Sequence, residues 1–266
     1  MRRAFESELI KLRRRSMILG VIGPLVAFAL VATIFAFSLA DRAGRLQALF
    51  PNEVFLTKQA LSSSNGLARM LGANATFGGM LVAAVFASSF ASEYGWGTLR
   101  NLLVRHPRRI SLLLGKFVAL VDFMFIARAF EIVASAAAAF ALAPSYDVST
   151  AAWLTPEGLS SAAGATLNIM LSSLGWAALG TLVAIVVRVP SIAVGIILAY
   201  ALPVENLLIS YWEDSGRWLP GQLIKAVAIG GSAQSPYQRS LVLILVYSLA
   251  ALAASLWLFR KRDVTA

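Results

Sequence analysis

Residues 17–40 read MILGVIGPLVAFALVATIFAFSLA, an apolar run without a single charged side chain. A helix crossing the ~30 Å hydrocarbon layer of a bilayer needs about 20 such residues. Arg13, Arg14 and Arg15 stand before the run, and Asp41 and Arg42 follow it. A basic start and the sequence Ser38-Leu39-Ala40 loosely resemble a secretory signal with its cleavage site. The apolar core is much longer than the ~7–15 residues of a signal peptide, so it reads as a retained span.

Five further stretches meet the same test: about 70–91, 117–143, 162–187, 192–209 and 241–259. Pro203 is expected to kink or end the fifth. The expected fold is therefore an all-α membrane protein with six transmembrane helices, residues 17–266 forming one transmembrane domain behind a cytoplasmic segment, 1–16. The whole composition agrees. Of 266 residues 59% are hydrophobic and 14% charged, and mean hydropathy is +0.76. A soluble domain carries about a quarter charged residues and just under half apolar ones.

The sequence also excludes much chemistry. Without cysteine there is no disulfide framework, thiol catalysis or iron–sulfur site. His106 is the only histidine, whereas a helical zinc protease motif needs two. No phosphate-binding loop occurs, since Gly115-Lys116 is followed by Phe117 and lacks the earlier glycine, and no nucleophile elbow occurs either. No catalytic residue, bound cofactor or metal is expected in this chain. It reads as a non-enzyme.

The charge of +10 resolves by side. With both termini on one face, the segments there hold fifteen bases against four acids, Glu6, Glu8, Glu93 and Asp263. The opposite segments hold seven bases and seven acids, counting Glu205 and Lys225 among them. The third span adds −1 through Asp122, Arg128 and Glu131. Lys and Arg mark the cytoplasmic face of a membrane protein, so the termini are expected there. The charge is thus a topology signal and no nucleic-acid footprint.

In 1–16, Phe5, Leu9 and Leu12 recur at i, i+4 and i+7 among Arg and Glu, the pattern of a helix lying in the membrane interface. The loop 93–116 is richer. Trp96, Leu99, Leu102 and Leu103 fall on one helical side with Arg100 and Arg105 displaced from it, and Pro107 stops the helix. Two readings fit: a rigid element that transmits force to a soluble partner, or a helix on anionic headgroups. Residues 204–237 mix Trp212, Trp218, Pro220 and Gly230-Gly231, suggesting broken interfacial or re-entrant helices.

Ionisable residues at membrane depth are costly and raise a functional hypothesis by default. At ~100° per residue, Arg128 and Glu131 lie about 60° apart and can pair, while Asp122 points roughly opposite Glu131. No other span supplies a mid-depth acid to complete a relay, only Asn74, Thr76, Thr166, Asn168, Ser172 and Ser173. A structural ion pair is the expectation for the three charges.

Glu8-Leu9-Ile10-Lys11-Leu12-Arg13 together with Glu93, Gly97, Thr98, Leu99, Leu103, Pro107 and Arg109 resembles the ABC type-2 exporter permease family, as does the terminal run Phe259-Arg260-Lys261-Arg262-Asp263. The resemblance implies an N-terminal elbow helix, six spans and re-entrant helices between spans five and six. It implies that Glu93, Trp96, Gly97, Thr98, Leu99, Arg100, Leu102, Leu103, Arg105 and Pro107 form a coupling helix between spans two and three. That helix would dock on a separate ATP-binding-cassette ATPase, two per complex, which binds the ATP and magnesium. A second permease subunit, identical or related, and membrane lipid would be the other partners, in a prokaryotic plasma membrane. The cargo expected from such apolar spans is amphipathic or hydrophobic: a peptide, lipid or drug. The charges of span three are not part of the family pattern. They carry the competing reading, an ATP-independent secondary transporter or channel working through Asp122, Arg128 and Glu131.

Overall fold

The computed structural model describes residues 2–49, 55–95, 109–232 and 234–261. Eleven α-helices occupy them, with no strand among the described residues. Helix α1 (Arg2–Leu12) precedes α2 (Arg15–Leu39), and the short α3 (Ala43–Leu49) and α4 (Lys58–Leu61) lead to α5 (Gly66–Gly95). The helices α6 (Arg109–Leu142) and α7 (Pro156–Val187) follow, joined through two 3-10 turns. A π-helical turn (Tyr200–Val204) links α8 (Pro190–Ala199) to α9 (Glu205–Tyr211). Beyond a further 3-10 turn come α10 (Pro220–Ala228) and α11 (Tyr237–Lys261).

Among the described residues, six helical segments are long and apolar enough to cross a membrane: α2, α5, α6 with its 3-10 extension to Tyr146, α7, the α8–α9 rod and α11. Each coincides with one of the six apolar runs in the sequence. The second and third extend further than hydropathy alone indicates. Glu93 and Tyr94 still belong to α5, and α6 begins at Arg109, about two turns before Phe117. Side-chain partners described below stabilise those polar ends.

The centre of the bundle is the pairing of α5 with α7; α2 packs on α6, α8 on α5 and α11 on α7. Close approach depends on glycine. A Cβ on Gly180 would run into the backbone carbonyl of Ala83, and one on Gly79 into the Trp176 indole. Small residues at spanning-helix contacts let backbones meet, where van der Waals packing replaces the hydrophobic drive that lipid removes. The outer helices differ sharply: α5 buries 67% of its most apolar stretch, α2 and α11 only 17%. Their apolar side chains face outward, as bilayer-facing helices require.

Local signals set the breaks. Thr155 caps α7, its hydroxyl accepting from the Gly158 N–H at 3.2 Å, with Pro156 in the first turn. Arg188 ends α7 in the left-handed conformation (φ 63°), and Pro190 starts α8. Pro203 does not end its rod. Having no N–H to donate, it sits in the π-turn, which carries the helix past it. The following α10 is amphipathic and turns Leu223, Ile224 and Val227 into the bundle, against α5, α7 and α11.

Candidate functional site

At the end of the bundle that holds α1, here called the base, four charges meet. Lys116 in α6 reaches Glu93 at 2.8 Å and Glu8 at 3.6 Å. Lys11 reaches Glu8 at 2.8 Å and Glu93 at 3.3 Å. Lys116 also donates to the Ser89 carbonyl at 2.8 Å and lies 5.0 Å from the Phe90 ring centre. The Lys116 side chain is 6% exposed and Glu8 8%. Two bases facing two acids keep this pocket neutral, the condition for burying charges that are hydrogen-bonded to one another. Burial lowers the basicity of the half-exposed Lys11. The hydrogen bond and charge of Glu8, with Glu93 behind it, outweigh this and hold its pKa above the usual lysine range.

The next residue ties α5 the other way. Tyr94 receives Arg188 over its ring at 5.3 Å and meets Phe259 of α11 edge to face at 6.4 Å. Arg109 donates to the Arg260 carbonyl at 3.4 Å. The foot of α5 is thus fastened to α1 and α6 through Glu93, and to the α7–α8 turn and α11 through Tyr94. Of the residues expected to form the coupling helix, Glu93 is within this network. Trp96, Gly97, Thr98, Leu99, Arg100, Leu102, Leu103, Arg105 and Pro107 lie outside the described residues.

The charges of the third span separate as helical geometry requires. Arg128 and Glu131 are buried and paired, and Arg128 also donates to the Ala75 carbonyl at 3.2 Å. Gly78 makes the room: a Cβ there would collide with the guanidinium and the carboxylate. One turn away, Asn74 donates to Thr33 at 2.9 Å and to Ser135 at 2.8 Å, joining α2, α5 and α6. Asp122 is exposed on the opposite face of α6 and is not brought to the pair.

A cavity of about 450 Å³ opens between α2, α5, α9 and α10. One face of α2 forms a wall, with Phe28, Val31, Ala32, Phe35, Ala36 and Leu39 at helical spacing. Gln222 and Lys225 of α10 also line it. Glu205, almost wholly buried, fixes the start of α10: its carboxylate accepts from the Gly221 N–H at 2.7 Å and from the Gln222 amide at 3.3 Å. An anion at a helix start meets free N–H groups and the positive end of the helix dipole. Among the described residues no group of three metal-ligating side chains occurs.

The model of one family, described as "Protein of unknown function (DUF2705)", matches residues 29–265. The chain belongs to that family. The match takes in the cavity lining except Phe28, the buried pair and the foot of α5, while α1 with Glu8 and Lys11 precedes it. No curated protein matches the chain. Function in this DUF2705 member is therefore argued from the site itself.

Sequence reasoning missed two groups. The charge count places Glu205 with the segments opposite the termini, and Pro203 is expected to kink or end the fifth span. With the π-turn, Glu205 instead lies inside the rod and is buried. An acid four residues before the end of the apolar run 192–209 is the available signal. In the sequence Glu8 and Lys11 belong to the segment that carries the resemblance and Lys116 to the bases on the side of the termini, and no local pattern indicates that residues about a hundred positions apart share one carboxylate.

Proposed function

We propose that this protein is the transmembrane permease subunit of an ABC exporter, moving an amphipathic or hydrophobic substrate with energy from a separate ATPase. The observation that carries the reading is the clamp at the base. Residues 96–108 connect α5 to α6, and the Glu93–Lys116 pair, with Glu8 and Lys11, fastens both sides of that connection to α1. Displacement of the segment by a partner would then move α5 and α6 as one body, which an alternating mechanism driven by ATP binding requires. Trp96, Leu99, Leu102 and Leu103 would supply the dry contact with the ATPase, and Arg100 and Arg105 its electrostatic register. In this scheme Glu93 anchors the element. The termini and the segment would face the cytoplasm, and a second permease subunit would cover the open apolar faces of α2, α8 and α9.

The closed Arg128–Glu131 pair supports a structural role for those charges, because each neutralises the other and Asp122 stands apart. The test is purification of the chain from native membranes in mild detergent, followed by assay of ATP hydrolysis in the eluate. Wild type should bring an ATPase with it. Leu99→Asp combined with Leu103→Asp should elute without it while remaining monodisperse. Absence of ATPase from the wild-type eluate, or its retention by the double variant, would overturn the assignment.

A further inference from the structure

We propose that the cavity between α2, α5, α9 and α10 binds an uncharged long-chain alcohol, its chain along α2 and its hydroxyl on Thr76. This deepens the export reading and rests on it only for calling the occupant a cargo; binding itself requires no ATPase. Among the described lining residues the charged ones are Glu205 and Lys225, of opposite sign, and each is already engaged. A charged head group finds no unspent counter-charge here, and burying an ion without one is costly. The rest of the lining is neutral and largely apolar. The face of α2 from Phe28 to Leu39 alone runs for roughly 16 Å at 1.5 Å per residue.

Thr76 supplies the polar contact. The other threonines of the spanning helices, Thr33, Thr166 and Thr181, each donate to the carbonyl four residues before, at 2.8 or 2.9 Å. Thr76 makes no such bond, and among the described residues its hydroxyl has no partner. At membrane depth a bare hydroxyl has no bulk water to turn to, and Thr76 lines the cavity. Asn74, also in the lining, adds an acceptor. Thr33 gives its proton to the Ala29 carbonyl, so Ser135 donates to Thr33 at 3.0 Å, and both hydroxyls accept from the Asn74 amide. The two Asn74 N–H bonds are thereby spent and its carbonyl oxygen is left over. A hydroxyl and an amide oxygen suit an O–H group and repel a carboxylate or phosphate. Access is lateral: Val31 and Phe35 of α2, Phe77 of α5 and Leu202 beside α9 line the cavity and are also exposed. A molecule dissolved in the bilayer enters without crossing water. The volume falls in the range of sites that enclose a drug-sized ligand.

The probe is dodecan-1-ol carrying a mid-chain diazirine, photolysed with the full chain in phosphatidylcholine nanodiscs and located by peptide mass spectrometry. The competitors, at equal mole fraction in the bilayer, are dodecan-1-ol, its methyl ether, dodecanesulfonate and dodecyltrimethylammonium. Saturable labelling of the α2 and α5 peptides that line the cavity is expected. The alcohol should compete about fivefold better than the ether, the worth of one neutral hydrogen bond. It should compete about tenfold better than either ion. Thr76→Val should abolish the preference over the ether and leave residual labelling. Its thermal unfolding should match wild type, since the hydroxyl makes no internal bond. Ala36→Trp, or the milder Ala32→Leu, should fill the space and eliminate saturable labelling, with thermal unfolding confirming that each variant is folded.

Two sources of the same hydroxyl chemistry separate on adding dioleoylglycerol to the discs. Displacement of the label supports a bilayer glyceride with a free hydroxyl as occupant, and unchanged labelling supports a free single-chain alcohol. No saturable label, an ether or an ion that competes as well as the alcohol, an alcohol preference that survives Thr76→Val, or labelling that survives both cavity-filling variants would overturn the proposal. None of these outcomes depends on an ATPase, so the permease reading stands or falls separately.

Discussion

Among the described residues of the spanning helices two carboxylates are buried, Glu131 in α6 and Glu205 at the start of α9, and they are stabilised differently. Glu131 faces a full positive charge, Arg128, in a space that only Gly78 keeps open. Glu205 is met by the Gly221 N–H and the Gln222 amide, so its counter-charge is spread over the first turn of α10. The first arrangement is an ion pair within α6 that also reaches the Ala75 carbonyl of α5. The second holds a helix whose polar side remains turned to a cavity. A buried ion can thus fasten two helices or build a wall. Which it does depends on whether its partner is an opposite charge or the neutral donors at the start of a helix.

That contrast predicts an order of sensitivity. Arg128→Leu leaves Glu131 buried without its partner, and should cost about 3–5 kcal/mol. A fall in thermal unfolding temperature and in the monodisperse fraction in detergent would register it. Combining it with Glu131→Leu should recover most of the loss, because replacing both ions by apolar side chains removes the desolvation penalty with the pair. If the single and double variants behave alike, the pair is not a closed unit.

Glu205→Gln keeps an acceptor for Gly221 and removes the charge. The expected cost is about 1–2 kcal/mol, the upper range for an anion at a partly buried helix start. It should appear as faster hydrogen exchange confined to α10, with α6 unchanged. Exchange that rises across the whole bundle would make Glu205 a rivet like Glu131.

The smallest effect belongs to the base. The raised pKa of Lys11 means that its contribution to stability is complete below the unfolded value of about 10.4 and lost as pH rises through the higher folded value. With the Lys11 side chain 45% exposed, solvent screening holds this below about 1 kcal/mol. Denaturation between neutral and strongly alkaline pH should therefore show a small loss that Lys11→Met removes.

The two carboxylates also mark how far the residues could be read in advance. Arg128 and Glu131 sit three apart on one continuous helix, so helical periodicity alone pairs them and sends Asp122 to the other side. Six spans were legible for a similar reason: bilayer thickness sets a length that each apolar run must meet. The role of Glu205 required knowing that a proline would be carried through a π-turn and that Gly221, sixteen residues on, would fold back beneath it. The cavity needed two helices far apart in sequence to face each other. Such contacts are set by tertiary packing, which leaves no local pattern. Glu93 lay between these cases: its position before the 96–108 segment was evident, but its partners were not.

Lys116 has a consequence for biogenesis. In the orientation proposed it is one of the basic residues that keep the start of α6 on the cytoplasmic side, a task that any exposed lysine performs. Yet it finishes enclosed between Glu8 and Glu93, both made earlier in the chain. Until α6 has inserted, those two acids lack the Lys116 contacts. In that orientation the charge that would direct insertion is also the charge that the folded base uses, and an inverted α6 would take Lys116 away from Glu8 and Glu93. Packing at the base would in this way check the orientation that the flanking charges favour.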